Sequence, residues 1–164
     1  MRHLKPKTAQ QGLTLVELMI VITVLAILAT VGVSAFQRLT AEYRVNSQAN
    51  ATQAAVQFAR SEALKRRSNV MICPAGQTVV IVEGDSCNGA AADDPENLLV
   101  MPIDARVALG GLDGAGVRFA ANGFTVPFAV RNIDVTDASG VVDTRRIRVL
   151  GSGFSEIIRV GSST

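Results

Sequence analysis

A single carboxylate interrupts the apolar stretch near the start of this 164-residue chain. Glu17 is the only charged residue between Leu13 and Phe36, a run of 24 residues. As a helix, this run would extend about 36 Å, which is enough to cross a lipid bilayer. A charged side chain inside a membrane segment costs about 3 kcal/mol. Because that cost must be offset, Glu17 indicates a function rather than packing.

A short basic leader precedes the apolar run and ends at Gly12. Its charges belong to Arg2, Lys5 and Lys7. The succession of Gly12, a hydroxyl-bearing residue, Glu17 and an unbroken apolar run resembles the class III signal of type IV prepilins and type II secretion pseudopilins. The resemblance implies that the prepilin peptidase cleaves between Gly12 and Leu13 and methylates the new N-terminus at Leu13. These proteins more often begin with Phe, and Leu keeps the same bulk and apolarity.

The same resemblance implies a role for Glu17 in assembly. In the filaments of this class, the carboxylate pairs with the methylated N-terminal amine of a neighbouring subunit. Opposite charges attract strongly in a medium of low dielectric constant, whereas an unpaired charge is costly. The pair would therefore set the register of subunits that leave the bilayer.

Two other interpretations of the N-terminus stay open. An ordinary secretory signal also has a basic region, an apolar core and a small-residue cleavage site, and Val33–Ala35 would place the cut before Phe36. Such a signal would be unusually long and would contain a charge. A plain membrane anchor would have no use for Glu17. In each case the basic leader stays in the cytoplasm and the C-terminal bulk crosses the membrane.

The composition of the mature chain excludes several classes of function. Removal of residues 1–12 leaves 152 residues, with 13 Lys and Arg against 14 Asp and Glu. This near-neutral balance argues against a globally basic nucleic-acid-binding protein. The only histidine, His3, lies in the leader, which excludes Ser–His and Cys–His nucleophiles and the usual zinc sites. The sequence predicts no enzymatic activity, no cofactor and no metal site.

Cys73 and Cys87 are the only cysteines. In a small exported domain, two cysteines favour a disulfide, and a pair of free buried thiols is the alternative. A bridge would close a loop of about 15 residues and stabilise the domain by roughly 3 kcal/mol. The expected bridge joins the first strand of the domain to the loop after its second strand.

An amphipathic helix is predicted to continue from the apolar run, since residues 36–67 contain no Pro and no Gly. One stripe has small and apolar residues at helical spacing, widened by Ala55 and Phe58. Its members are Val45, Ala49, Thr52, Val56, Ala59 and Ala63. The opposite side is predicted to carry Arg38, Glu42, Gln48, Gln53, Arg60 and Glu62. The pattern predicts one helix from Leu13 to Arg67, with a stop at residues 68–69.

The period of the apolar residues changes to two after residue 69, which indicates strands. The predicted strands are 70–73, 78–82, 98–103, 117–120, 125–130, 145–150 and 156–160. The predicted loops are 84–97, 110–116 and 136–144. The fold class is therefore α+β: a long N-terminal pilin helix, transmembrane in its first half and amphipathic in its second, packed on a C-terminal antiparallel β-sheet domain.

Two segments beyond the signal resemble the GspH/FimT family of minor pilins and pseudopilins. Ala59–Arg66 is similar to the ARSEAIKR segment that ends the long helix in that family, and Val70–Pro74 is similar to the VTLC strand that follows. A second Cys, an apolar strand ending in Asp104, Val117–Phe119 and Asn122–Gly123 also fit.

Two departures from the family pattern matter. Ser34 stands where pilins commonly have a Pro that melts part of the helix, so melting near Gly32 is in question. Family members linked to DNA uptake carry a Gly-Arg-x-Arg motif after the last strand pair. The matching residues 153–156 read Gly-Phe-Ser-Glu and include no basic residue, so a DNA receptor is not favoured.

Seven basic residues are nevertheless candidates for contact with phosphates. They are Lys65, Arg66, Arg67, Arg145, Arg146, Arg148 and Arg159. The favoured alternative is a helix end together with the solvent face of an edge strand. The acidic loop with Asp85, Asp93, Asp94 and Glu96 offers oxygen ligands for calcium, but its irregular spacing favours a solvated loop. Residues 111–116 lack the Lys and the strand–turn–helix context of a phosphate loop.

These predictions divide the chain into four segments: a prepilin leader (1–12), a transmembrane and assembly half of the helix (13–36), an amphipathic periplasmic half (37–69) and a β-rich head (70–164). The resemblance implies a non-enzymatic minor pilin that helps to initiate or cap a type IV pilus, with a role in twitching motility. A minor pseudopilin of a type II secretion system and a DNA-binding minor pilin for natural transformation are the alternatives.

The resemblance also implies partners and a location. The partners are other major and minor pilins or pseudopilins, the prepilin peptidase, the inner-membrane assembly platform and the lipid bilayer; DNA is not favoured. The chain would cross the inner membrane of a Gram-negative bacterium once, with a periplasmic C-terminal domain, before it enters a pilus or pseudopilus.

Overall fold

One helix, α1 (Leu15–Arg66), dominates the N-terminal part of the chain. The computed structural model describes residues 14–112 and 116–161, without the side chains of residues 31, 32 and 34. The chain divides into two compact units between Gln37 and Arg38, and α1 contributes to both. The predicted helix is confirmed to within two residues at its start and one at its end, and its backbone stays helical through residues 32 and 34.

In the second unit, α1 buries the predicted stripe. Val45, Ala49, Thr52, Val56, Ala59 and Ala63 are all buried. Ala55 is also buried and Phe58 packs against the same core. Small side chains along this stripe allow the helix backbone to approach the strands closely, which explains the run of alanines.

The polar side of α1 differs from the prediction. Gln48 and Glu62, which were expected to face solvent, are buried. The Gln48 amide donates to the carbonyl oxygen of Pro102 over 3.4 Å and accepts from the backbone N–H of Asp104 over 3.2 Å. Gln53 donates to the carbonyl oxygen of Ser155 over 3.1 Å. These residues satisfy loop and strand backbone groups, so polarity alone did not identify the solvent face.

Nine strands lie in the described part of the second unit. They are β1 (Val70–Ala75), β2 (Thr78–Glu83), β3 (Leu99–Pro102), β4 (Val107–Gly110), β5 (Val117–Phe119), β6 (Thr125–Val126), β7 (Arg131–Asp137), β8 (Thr144–Val149) and β9 (Ser155–Val160). One sheet has the order β3-β2-β1-β5-β6 and the other β4-β7-β8-β9. All pairings are antiparallel, so the α+β class is confirmed, with two sheets instead of one.

The region around residue 130 is where the strand prediction is wrong. The predicted strand 125–130 contains only the two residues of β6, because the chain bends at residues 127–129. Strand β7 begins one residue after the predicted strand 125–130 ended. Neither β7 nor β4 was predicted. Both strands carry Asn, Asp, Gly or Arg among their apolar residues, which weakens a β signal based on apolar alternation.

The main core lies where α1 meets the inner faces of both sheets. Val56 of the helix, Ile72 and Phe119 of the first sheet, and Ile133 and Ile147 of the second belong to one cluster of buried side chains. A second, smaller cluster covers the outer face of the first sheet. It contains Met71, Cys73 and Val80, with Val82, Cys87 and Ala90 packed against it.

Candidate assembly site

Thr14 forms the N-terminal cap of α1. The backbone N–H of Glu17 donates to the Thr14 hydroxyl oxygen over 3.3 Å, and the N–H of Leu18 donates to the Thr14 carbonyl over 3.1 Å. Thr14 is thus the N-cap and Glu17 the third helical residue, as in a capping box. The positive end of the helix dipole also stabilises a carboxylate at this position. Gly12 and Leu13, the predicted cleavage residues, lie outside the described residues.

The apolar part of α1 is exposed on all sides in the described chain. Leu15, Leu18, Ile22, Leu25 and Leu28 are each more than half exposed. By length and composition alone, this segment is apolar enough to cross a membrane. The hydroxyls of Thr23 and Thr30 are satisfied within the helix, because they donate to the carbonyls of Ile20 and Ile27, both over 2.8 Å. Such a surface favours lipid or other apolar helices over water.

The predicted disulfide between Cys73 and Cys87 is present. It joins β1 to the loop between β2 and β3, as expected. Cys87 and Ala90 of that loop pack on Met71 and Val80, which face away from α1. The bridge therefore holds a polar loop over an apolar sheet face.

The acidic residues of the same loop do not gather into a metal site. In the parts of the chain that the structure describes, no three Asp, Glu, Cys or His side chains are grouped so that they could hold an ion. Asp85 instead accepts from the Asn69 amide over 2.6 Å and pairs with Arg118 over 3.2 Å.

Most of the seven basic residues proposed for DNA contact are paired with carboxylates. At the end of α1, Lys65 and Arg66 both reach Glu62, over 3.3 Å and 2.7 Å, and Arg66 also reaches Glu83. The hydrogen bond from Arg66 holds the pKa of Glu62 below its ordinary value. Arg67 ends the helix in a left-handed conformation, with a φ of 56°.

The arginines of the second sheet divide between its two faces. On the outer face, Arg146 makes two hydrogen bonds to Asp134, over 2.6 Å and 2.9 Å, and Arg148 pairs with Glu156. The bond to Asp134 raises the pKa of Arg146. On the inner face, Arg145 donates to the Asn46 side chain of α1 over 2.7 Å.

These positions correct the alternative offered for this cluster. Arg145, Arg146 and Arg148 belong to β8, which lies between β7 and β9 and is not an edge strand. Arg159, on the edge strand β9, is 4.0 Å from Asp143. Residues 153–156, where DNA-uptake relatives carry basic residues, form the turn into β9; there Phe154 is exposed and Ser155 is buried.

Two protein-family models match different parts of the chain. The family described as Type II transport protein GspH matches residues 48–153, from the middle of α1 to the turn before β9. The prokaryotic N-terminal methylation motif matches residues 7–33, which include Gly12, Leu13 and Glu17. The chain belongs to the GspH family. No curated protein matches the sequence.

Two solved structures share the fold of this GspH-family chain. The type IV minor pilin FimU of Pseudomonas aeruginosa PAO1 is 24% identical, with a TM-score of 0.53 over 77% of this chain and 95% of FimU. The minor pseudopilin EpsH of the Vibrio cholerae type 2 secretion system is 5% identical, with a TM-score of 0.52 over 74% of this chain and 99% of EpsH. The fold is therefore that of minor pilins and pseudopilins, and both classes fit it.

Sequence reasoning missed the capping role of Thr14. The signal was available, because Thr-x-x-Glu before an apolar run is the pattern of a capping box.

Proposed function

We propose that the mature chain is a non-enzymatic minor subunit that helps to initiate or cap a type IV pilus. Residues 1–12 are the leader, residues 13–36 anchor the chain in the inner membrane and later enter the filament core, and residues 37–69 connect this anchor to the periplasmic head, residues 70–164. Processing by the prepilin peptidase at Gly12–Leu13 and insertion by the inner-membrane assembly platform precede assembly with other pilins.

One observation carries this proposal: a methylation motif runs into a capped helix whose apolar side chains are exposed on all sides. A single-pass anchor needs an apolar segment but has no need of a carboxylate at its third helical residue. Cleavage after Gly12 would leave the amine of Leu13 four residues from Glu17. A cationic amine or a carboxylate inside the membrane is costly unless the two groups are paired. A neighbouring subunit would supply the partner.

Intact mass of the membrane-extracted protein tests the processing step. We expect a 152-residue chain with one added methyl group, and the uncleaved chain in a strain that lacks the peptidase. Gly12→Val should also block the cut, whereas the neighbouring Gln11→Val should not. A product beginning at Phe36 would instead identify an ordinary secretory signal and overturn the proposal.

A type II secretion pseudopilin is the second candidate, and the GspH match favours it. Deletion of the gene separates the two. Loss of twitching motility with normal enzyme secretion supports the pilus, whereas the reverse supports the secretion system. The third candidate, a DNA-binding pilin for transformation, has less support, because carboxylates occupy most of the candidate cations.

A further inference from the structure

A patch of exposed aromatic side chains lies where α1 ends in the head. It comprises Leu64, Phe124, Phe128 and Phe154, and is called the aromatic patch below. The ring of Phe128 is 72% exposed and that of Phe154 is 55% exposed. The rings of Phe124 and Phe128 meet edge to face, with centroids 5.8 Å apart. Large exposed apolar clusters of this kind usually mark binding surfaces.

Two tight turns, one before β6 and one before β9, carry Phe124 and Phe154. The N–H of Thr125 donates to the carbonyl of Gly151 over 2.9 Å, so the two turns are bonded to each other. Gly153 has a φ of +79°, and a side chain there would lie 2.1 Å from the carbonyl oxygen of Gly123. A Cβ at Gly151 would touch the Phe128 ring at 3.0 Å. Glycine is thus required at position 153, where the two turns meet, and the backbone under the patch is preorganised for binding.

Two arginines beside the patch have no carboxylate partner among the described residues. Arg60 uses its Nε–H to bond the carbonyl of Gly123 over 3.2 Å and has no ion pair with any described residue. Arg131 is the first residue of β7 and pairs with Val149 of β8. Val149 lies two residues before Gly151. Elsewhere in the head, Arg44, Arg66, Arg118, Arg146 and Arg148 all have carboxylate partners. Among the described arginines without a carboxylate partner, Arg60 and Arg131 are the two that border the aromatic rings.

We infer that the aromatic patch binds a neighbouring filament subunit, through a segment whose apolar side chains are flanked by Asp or Glu. This inference rests on the proposed function. Apolar side chains would pack on Phe124, Phe128 and Phe154, and the carboxylates would pair with Arg60 and Arg131, because opposite charges at the rim select and orient a partner. Nucleic acid is disfavoured as the partner, because two cations would neutralise too few of its phosphates and the protein chain is nearly neutral.

A photo-crosslinking phenylalanine analogue at position 128 of the full chain, produced in its own host, tests the inference. We expect one main adduct with another pilin or pseudopilin, at a peptide with carboxylates next to apolar residues. The matched control places the analogue at Val141, which is similarly exposed but lies in the loop between β7 and β8, and it should give no such adduct.

Charge reversal then examines the partner's chemistry. Arg131→Glu should reduce the adduct about tenfold, because like charges then meet at the rim. Arg159→Glu, at the other end of the second sheet, should leave it unchanged, and excess single-stranded DNA should not compete. Equal effects of the two substitutions, competition by DNA, or adducts only with lipid, a second copy or an exported protein would overturn the inference.

The proposed function is assessed in the same samples. If the wild-type chain is processed at Leu13 and recovered with filaments but gives no adduct, only the binding surface is wrong. If it is neither processed nor recovered with filaments, the proposed function itself fails, whatever the adduct.

Discussion

A substitution of Glu17 to Ala would change two things at once. Glu17 stands three residues after the Thr14 N-cap, the position of the carboxylate in a capping box, and its charge is proposed to pair with an amine. Caps are worth about 1 kcal/mol, whereas an unpaired charge within the membrane costs more. The two roles can be separated because glutamine also completes a capping box but carries no charge.

Glu17→Gln should therefore behave like Glu17→Ala in assembly. We expect both variants to insert into the membrane, to be processed after Gly12, and to be lost from the filament fraction, because the amine of Leu13 or of an adjacent chain lacks its counter-charge. Pull-down of partner pilins from detergent extracts measures this. Thr14→Ala, which removes only the cap, serves as the control. Normal recovery of Glu17→Gln with loss of Glu17→Ala would reduce the role of Glu17 to helix capping.

Asp137 links the end of β7 to α1 through its charge. It accepts from the Ser139 hydroxyl and backbone N–H, the latter over 3.0 Å, and pairs with Arg44 over 3.4 Å. The hydrogen bond from Ser139, followed by the nearby Arg44 and Arg106, lowers the pKa of this carboxyl despite its burial. A carboxyl with a lowered pKa in the folded state stabilises the fold above its unfolded pKa, and this contribution disappears as pH falls through the folded pKa.

We expect Asp137→Asn to lower the free energy of unfolding by about 1 kcal/mol at pH 7. The deficit should persist down to about pH 4, the ordinary pKa of an aspartate, and should shrink below it as the wild-type carboxyl is protonated. Urea unfolding of the full chain in mild detergent, followed by circular dichroism at several pH values, measures this. Asp93→Asn, in the exposed loop, is the matched control. A deficit that stays constant at acid pH would exclude a charge effect.

At the scale of secondary structure, the sequence allowed α1 and the disulfide to be predicted but not the division into two sheets. Helical spacing of small residues from Val45 to Ala63 is a local signal, and each of these residues is buried. The ends of β6 and β7 depend on the strands with which they pair, which apolar alternation does not encode. Burial of Gln48 likewise depends on its hydrogen bonds to Pro102 and Asp104, which lie far along the chain.

The loop between β2 and β3 gives a further prediction at this scale. Replacing both Cys73 and Cys87 with Ala should lower the free energy of unfolding by about 3 kcal/mol, because the unfolded chain gains the entropy of a 14-residue loop. Limited proteolysis should then cut within residues 84–98, since the loop no longer holds to Met71 and Val80. Ser86→Ala should change neither measurement. Equal protease resistance in the double variant would show that packing alone fixes the loop.

At the scale of the whole molecule, charge is arranged for pairing within the head. Residues 13–164 carry 13 Lys and Arg against 14 Asp and Glu. Cations on the outer face of the second sheet are matched by Asp134 and Glu156 on the adjacent strands. Such cross-strand pairs stabilise a sheet, and a paired arginine must lose its partner before it can bind a phosphate. This arrangement favours a subunit that associates through specific contacts over one that attracts nucleic acid at long range.

We therefore expect the full chain to retain little DNA at about 150 mM salt, where nonspecific affinities that rest on few phosphate contacts are weak. Replacing Arg146 and Arg148 together with Ala should leave DNA retention unchanged while lowering the stability of the head, because the carboxylates of Asp134 and Glu156 lose their partners. Gel-shift titration at several salt concentrations and urea unfolding measure the two effects. Arg67→Ala, which removes a cation without an ion pair in the described chain, is the control for stability. Tight retention that falls steeply with salt and is lost in the double variant would restore DNA binding as the function of this face, because only direct phosphate contacts give that dependence.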